Sequence, residues 1–432
     1  MQSLSQLLKS CVQGFGPQDL GNQEKVRIML EPDGEASDPC PQTKSPLESS
    51  SGGLQKPVDS VFPFLDQALS SELSPTKAQR YASCIREHFS SWVELAEKRP
   101  RYHVYEARKN ETGLHFPIRI YLSNKDTPKI QLVLGEVGSG PRKFVEKVLV
   151  ITPTNFSTLA EVGINKYIHD HHLRRREMYR QQKELNREMS LVKKLSEKIP
   201  TLPKYTQVNV PDTKGHIRAK YQTKLAEGNL QELCCRHGPV PFKGALEIIT
   251  QLATTLQGLH ENGWCYEDLK SENVLIFKGE RAQLCDFEFV TRSGKRQKMQ
   301  GTPAYIAPEM FSHEEFDAHP SMDMWSLGSL IYHLVVLDKD PFVGTQEEGL
   351  DNTFSNPETR LFYAKKIEAD NEEARKDLLG KEGDAEHTAF YKLAAQLLSQ
   401  VAQQRPTAED VLRGVKEMQA SLAKSESSAA FM

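Results

Sequence analysis

From Tyr102 to about Ile168 the chain alternates apolar and polar residues with a period of two, and from Asp170 onward the period is mainly that of a helix. The strand signals are "HVYEAR", "FPIRIYL", "KIQLVLGEV", "KFVEKVLVI" and "TLAEVGINKYI", with "KNETG", "GSGPR" and "TPTN" as turns. A long basic helix is expected from about Asp170 to Lys198, short strands beyond Pro203, a polar step at "AEGNLQEL", and helices to about residue 420. Strands gathered before helices predict an α+β chain: a small antiparallel-sheet lobe carrying one long helix, a larger mainly helical lobe, and a cleft between them.

The flanks read differently. Residues 31–60 are dense in Pro, Gly, Ser and acids, with too few large apolar residues to offset the entropy of ordering, so residues 1–60 are expected to be a largely disordered leader. Leu65, Leu69, Leu73, Tyr81, Ile85, Phe89, Trp92 and Leu95 then recur at helical spacing, interrupted at Ser74-Pro75, and open a helical and strand extension over 61–128. Residues 421–432 are expected to be a disordered tail. The formal charge is only −3 over 432 residues, which gives no global reason for nucleic-acid or anionic-membrane binding. No apolar run approaches the ~20 residues that span a bilayer, and the opening "MQSLSQLLKSCVQGFG" lacks the apolar core of an export signal. Seven cysteines, odd in number and without metal spacing, fit a reducing compartment. The expectation is a cytoplasmic protein, or an effector acting in a host cytosol. "HDHHLRRR", His169 to Arg176, reads as a solvated, positively charged helix start rather than a metal site or import patch.

The stretch "GWCYEDLKSENVLIF" sets Asp268, Lys270 and Asn273 in a fixed rhythm before a run of β-formers. Phosphoryl transfer passes through a loose transition state whose charge spreads over peripheral oxygens, so its catalyst must position and neutralise. One carboxylate orients the attacking hydroxyl, an amide and a second carboxylate hold Mg²⁺, and a Lys grips the phosphates. Asp268 with Asn273 five residues on, Asp286 in "LCDFEF", "GTPAYIAPE" from Gly301, "DMWSLGSLIYHLVV" from Asp323 and "QRPTAEDVL" around Arg405 occur in that order. Through these five motifs the chain resembles the protein kinase superfamily over about residues 130–415. The resemblance implies a bilobal kinase-like domain over 129–420, with an N-lobe of about 129–222 and a C-lobe of about 223–420. It implies ATP and Mg²⁺ as cofactors and a protein substrate with a Ser or Thr acceptor. Asp268 would receive the hydroxyl proton, Lys270 would steady the γ-phosphate, Asn273 and Asp286 would bind the metal, and Arg405 would pair with Glu309.

In the small lobe, Gly138 and Gly140 of "VGSGPRKFV" are the candidates for backbone approach to phosphates, although Lys143 stands where a third glycine is usual. The phosphate-gripping Lys is expected to be Lys166, at the end of the face Ala160, Val162, Ile164, because Lys147 follows the glycines too closely. Its helix partner is expected to be Glu188, beside the buried stripe Leu185, Met189, Val192, Leu195. Tyr221, Gln222 and Thr223 of "HIRAKYQTKL" resemble the hinge that meets adenine, and Cys285 is read as a small buried hydrophobe behind the nucleotide.

Two departures remain. Tyr266-Glu267 replaces the usual His-Arg, and Glu288 replaces the Gly of Asp-Phe-Gly. The usual Arg receives an activation-segment phosphate, whereas Glu267 at ~4 Å would repel one by about 4 kcal/mol per unit charge at an effective dielectric of ~20. The expectation is instead an ion pair from Glu267 to one of Arg292, Lys295, Arg296 or Lys298, which orders the segment without phosphorylation. Three functions are open: a Ser/Thr protein kinase, a pseudokinase that binds nucleotide or a partner, and a small-molecule kinase. Retention of Asp268, Asn273 and Asp286 favours the first, and the peptide platform implied by "GTPAYIAPE" speaks against the third. The first 100 residues, outside the resemblance, either brace the small lobe or recruit a partner.

Overall fold

The computed structural model describes residues 58–97, 118–122, 128–139, 143–164, 174–211, 217–238, 240–279, 281–299, 302–336 and 356–430. Most of the expected leader, and the histidines of "HDHHLRRR", lie outside the described residues.

Three helices come first: α1 (Val58–Val61), α2 (Leu65–Glu72) and α3 (Pro75–Glu97). Pro75 opens α3, where its fixed φ suits a first helical turn and its missing N–H costs nothing. Phe62, Leu65, Leu69, Tyr81, Ile85 and Phe89 are buried in one cluster with Ile118, Ile130, Leu132, Leu149 and Ile151 of the sheet. At about 1.5–3 kcal/mol for each fully buried large apolar side chain, this contact holds the helices against the strands. Glu72, at the end of α2, adds an ion pair to Lys147 at 2.7 Å.

The sheet contains β1 (Ile118–Leu122), β2 (Pro128–Ser139), β3 (Lys143–Ile151), β4 (Phe156–Ile164), β5 (Thr206–Pro211) and β6 (Ile217–Lys224), in the order β1-β2-β3-β4-β6-β5 with every neighbour antiparallel. Between β4 and β5 runs α4 (Arg174–Ser196). Its Leu185 and Met189 pack on Val162, Ile164 and Tyr221 of the sheet, while Val192 and Leu195 join the core of the helical lobe. The single apolar stripe therefore touches both lobes, so α4 sets their relation.

The helical lobe follows with β7 (Gly228–Asn229), α5 (Leu230–His237), α6 (Phe242–Glu261), β8 (Trp264–Cys265), β9 (Val274–Phe277), β10 (Arg281–Leu284), β11 (Thr291–Arg292), β12 (Arg296–Lys298), β13 (Glu315–Asp317), α7 (Pro320–Val336), α8 (Pro357–Gly380), α9 (Ala385–Leu397) and α10 (Ala408–Ala430). Trp325, Leu327, Leu330 and Ile331 are buried around the circumference of α7, as expected of a helix apolar on all sides. Gly328 lets it approach α9: a Cβ there would lie 2.8 Å from Leu397 Cβ and 3.2 Å from the Leu397 carbonyl carbon. Gly328→Ala is expected to cost about 1–3 kcal/mol by overpacking, measurable as a lower denaturant midpoint at constant m-value. Arg405 makes the anticipated contact with Glu309 through two 2.7 Å hydrogen bonds. The expected disordered tail is corrected: α10 continues through residues 421–430, because Ala, Ser, Glu and Lys there include good helix formers and no Gly or Pro stops it.

Candidate active site

Asp323, fully buried in the first turn of α7, organises the loop after β8. Its carboxylate accepts the backbone N–H of Tyr266 at 2.8 Å and of Glu267 at 2.7 Å, and contacts His260 Nε2 of α6 at 2.8 Å. This grip holds Glu267 at φ 66°, a left-handed conformation that costs a non-glycine residue about 1–2 kcal/mol, and turns the chain so that Asp268 follows into the cleft. Burial pushes the Asp268 carboxyl up to about 6, against the opposing pull of Lys270. Lys270 Nζ lies 3.3 and 3.2 Å from the two Asp268 oxygens and donates to Thr302 at 3.0 Å, which ties this loop to the segment that follows β12. Asn273 Nδ2 donates to Asp268 Oδ2 at 2.6 Å and to the Asp268 carbonyl at 2.8 Å.

Asp286 arrives from β10, also left-handed, at φ 56°. The preceding residue is fixed on both sides: Cys285 N–H donates to the Asn273 carbonyl at 3.0 Å, and the Tyr266 hydroxyl donates to the Cys285 carbonyl. Burial pushes the Cys285 thiol up, consistent with an inert hydrophobe. Asp268, Asn273 and Asp286 thus meet from two turns, with the Asp286 charge close enough to raise the Asp268 carboxyl further.

Among the described residues the cation that meets this group is Lys143. Lys143 Nζ lies 2.6 Å from Glu188 Oε2, 2.6 Å from Asp286 Oδ1 and 3.5 Å from Glu288 Oε2. Phe287 N–H donates to the other Glu188 oxygen at 3.2 Å. Burial works against the Lys143 ammonium, but the Glu188 and Asp286 carboxylates hold it well above the usual lysine range. Lys166 lies outside the described residues, and the helix-facing side of β4 offers only Ala160, Val162 and Ile164. Register explains the exchange: Lys143 pairs with Ile164 and Val145 with Val162, so a Lys beginning β3 reaches the space that a Lys from β4 was expected to fill. The signal was present in the sequence as a cation at the third-glycine position.

The remaining nucleotide candidates are spread more widely. Gly138 lies in β2 just past its second bulge, and Gly140 is outside the described residues. The Tyr221 ring stacks on Tyr205 at 4.1 Å, and Gln222 donates to the buried Glu161 at 2.8 Å, so both side chains are occupied by packing. β6 pairs with β5 from Ile217 to Gln222 and with β4 from Tyr221 to Lys224, so at Thr223 and Lys224 only the β4 side is paired. A backbone edge open on one side therefore begins at Thr223, within the stretch expected to meet adenine.

Glu267 is also corrected. It makes no ion pair with the four basic residues: Gln297 of β12 donates to its Oε2, and its Oε1 is buried without a partner. Alternation along β12 decides this, sending Arg296 and Lys298 away from Gln297 to Glu315 at 3.3 Å and Glu314 at 2.9 Å. Arg292 instead covers the Trp264 ring at 4.2 Å. Burial, with the Asp323 charge, pushes the Glu267 carboxyl up to about 8, opposed by the Gln297 hydrogen bond and by Lys295.

Among the described residues no group of three or more His, Cys, Asp or Glu forms a cage for a metal ion. Mg²⁺ suits that condition, since it is commonly held by one or two protein oxygens and completed by phosphates and water. Asn273 has its nitrogen engaged by Asp268, so its oxygen is the atom that could face a metal, and Asp286 offers a hard carboxylate.

A family model of the protein kinase domain matches residues 160–415. The serine/threonine-protein kinase TIO of Arabidopsis thaliana is 35% identical over 118 residues, covering 26% of this chain and 9% of that protein. Serine/threonine-protein kinase 36 of Pongo abelii is 33% identical over 127 residues, 28% of this chain and 9% of that protein. Serine/threonine-protein kinase ATG1a of Arabidopsis thaliana is 36% identical over 123 residues, 27% and 19% respectively. The matches span less than a fifth of the length of these relatives. No helix among the described residues is long and apolar enough to cross a membrane. An antiparallel-sheet lobe, a mainly helical lobe, and a domain match extending over more than half of the sequence establish that the chain belongs to the protein kinase family.

Proposed function

We propose that the chain is a protein kinase transferring the γ-phosphoryl group of ATP to Ser or Thr hydroxyls of protein substrates. The observation that carries this reading is the meeting of Lys143, Glu188 and Asp286 within hydrogen-bond reach, beside the hydrogen-bonded group Asp268, Lys270 and Asn273. Mg²⁺, when bound with the nucleotide, would neutralise charge between the phosphates, and Asn273 and Asp286 are the residues that would hold it. Asp268 accepts the proton as the acceptor oxygen bonds to phosphorus and the β,γ-bridging bond breaks, with its electrons leaving on ADP. An acid lifted to about 6 by burial is poised for that role near neutral pH. Lys143 draws charge from the phosphates while Glu188 fixes its position. Lys270 bridges the catalytic loop and Thr302, where an acceptor hydroxyl would enter.

Phosphorylation is not needed for this arrangement in our reading. The segment after Asp286 is held by pairing of β12 with β13, by two surface ion pairs and by Gln297 on Glu267. Of its hydroxyl residues Thr291 and Tyr305 are buried, Thr302 is engaged by Lys270 and Ser293 is exposed. Exhaustive phosphatase treatment is expected to leave the rate unchanged.

The test is label transfer from γ-labelled ATP with Mg²⁺ into casein. Label is expected on Ser or Thr and should fall at least about 10²-fold in Asp286→Ala. One feature favours a binding-only pseudokinase instead, the third carboxylate, Glu288, against Lys143. Nucleotide binding without label transfer would select that reading.

A further inference from the structure

Two residues set this cleft apart from the pattern it resembles: Lys143 in place of a glycine, and Glu288 in place of another. They touch each other. Lys143 Nζ and Glu288 Oε2 are 3.5 Å apart, with side chains only 17% and 13% exposed. We propose that they form one functional pair, in which Glu288 is the counter-ion of Lys143 and sets how strongly the cleft holds the phosphates of its nucleotide; this rests on the kinase reading above.

Lys143 faces three carboxylates, those of Glu188, Asp286 and Glu288, so the group carries a formal excess of two negative charges before any phosphate arrives. Two of the three have other work. Glu188 is fully enclosed and anchored by the Phe287 N–H, and Asp286 is the metal ligand of the proposed mechanism. Glu288 is not a metal ligand in that mechanism, and 3.5 Å from Lys143 Nζ it lies where it would compete with phosphate oxygens for the ammonium.

Its surroundings on α4 are of mixed charge. A cavity of about 20 Å³ beside Glu288 is also lined by Glu184, Arg187, Leu191 and Val290. Arg180 of α4 lies close enough for its charge to be influenced by Glu288. Gly in this position would leave Lys143 with one competitor fewer; Glu adds to the negative excess of the empty cleft and weakens its hold on a triphosphate.

Titration calorimetry of the full chain with ATP, ADP and adenosine, each with Mg²⁺, tests this in wild type and Glu288→Gln. The Gln variant keeps the shape and removes the charge. ATP is expected to bind about tenfold more tightly, ADP to gain less, and adenosine to be unchanged, with the ATP gain shrinking at high salt. Unchanged or weaker ATP binding overturns the pairing, and so does equal tightening of ATP and adenosine, which would report a packing effect. If wild type fails to bind ATP at all, the kinase reading falls first and the inference with it; adenosine and ATP bound equally by wild type would overturn the inference alone.

Discussion

Lys143→Met is expected to lower kcat/KM for ATP by about 10²- to 10³-fold, the scale seen when one preorganised charge-stabilising group is removed from a reaction centre. The reason is geometric and electrostatic together. Lys143 is the cation within 2.6 Å of both Glu188 and Asp286, and a unit charge ~4 Å from a phosphate is worth about 4 kcal/mol at an effective dielectric of ~20. Met keeps the length and loses the charge. The same change at Lys166 is expected to alter kcat/KM by less than about threefold. Steady-state kinetics on the two variants decides between the strands, and a collapse at Lys166 with tolerance at Lys143 would reverse the assignment. Lys143→Met also strands the enclosed Glu188, so thermal melting must accompany the kinetics to separate lost fold from lost chemistry.

Glu267 should dominate the alkaline limb of stability. Its folded pKa of about 8 lies above the ordinary 4.5, because burial and Asp323 both disfavour the anion. A carboxyl raised on folding binds its proton more tightly in the native state, so stability is greatest below the unfolded pKa and declines as pH rises from about 4.5 to about 8. The full loss is about 5 kcal/mol. Glu267→Gln removes the titration while an amide replaces the acid, so it should match wild type near pH 5 and exceed it by a few kcal/mol above pH 8. Urea denaturation across that range provides the measurement. Parallel pH profiles for the two proteins would mean that Glu267 is ionised in the fold, paired in some way other than with Gln297.

The acid limb has a different owner. Asp268, raised to about 6 by burial, must be ionised to accept a proton, so kcat/KM should fall about tenfold per unit below pH 6 and level off above it.

Comparison of expectation with structure separates two kinds of information. The order of the catalytic loop, Asp286, the segment ending at Glu309 and the buried helix α7 was legible because each is a local pattern with a fixed spacing. Glu188 was legible for the same reason, lying beside the stripe Leu185, Met189, Val192, Leu195 that had to face inward. Lys143 and Gln297 were not. Each answers a question about neighbours: which of two antiparallel strands delivers a cation to the helix, and which side of β12 turns toward Glu267.

What the sequence determined by itself was therefore the two-lobed α+β architecture and the chemical inventory of the cleft, because hydrophobic period and motif spacing are properties of a single segment. Only the tertiary structure decided which lysine meets Glu188 and which partner meets Glu267. Those choices depend on register between strands, and a shift of one residue in register exchanges the inward and outward faces without changing either segment's own pattern.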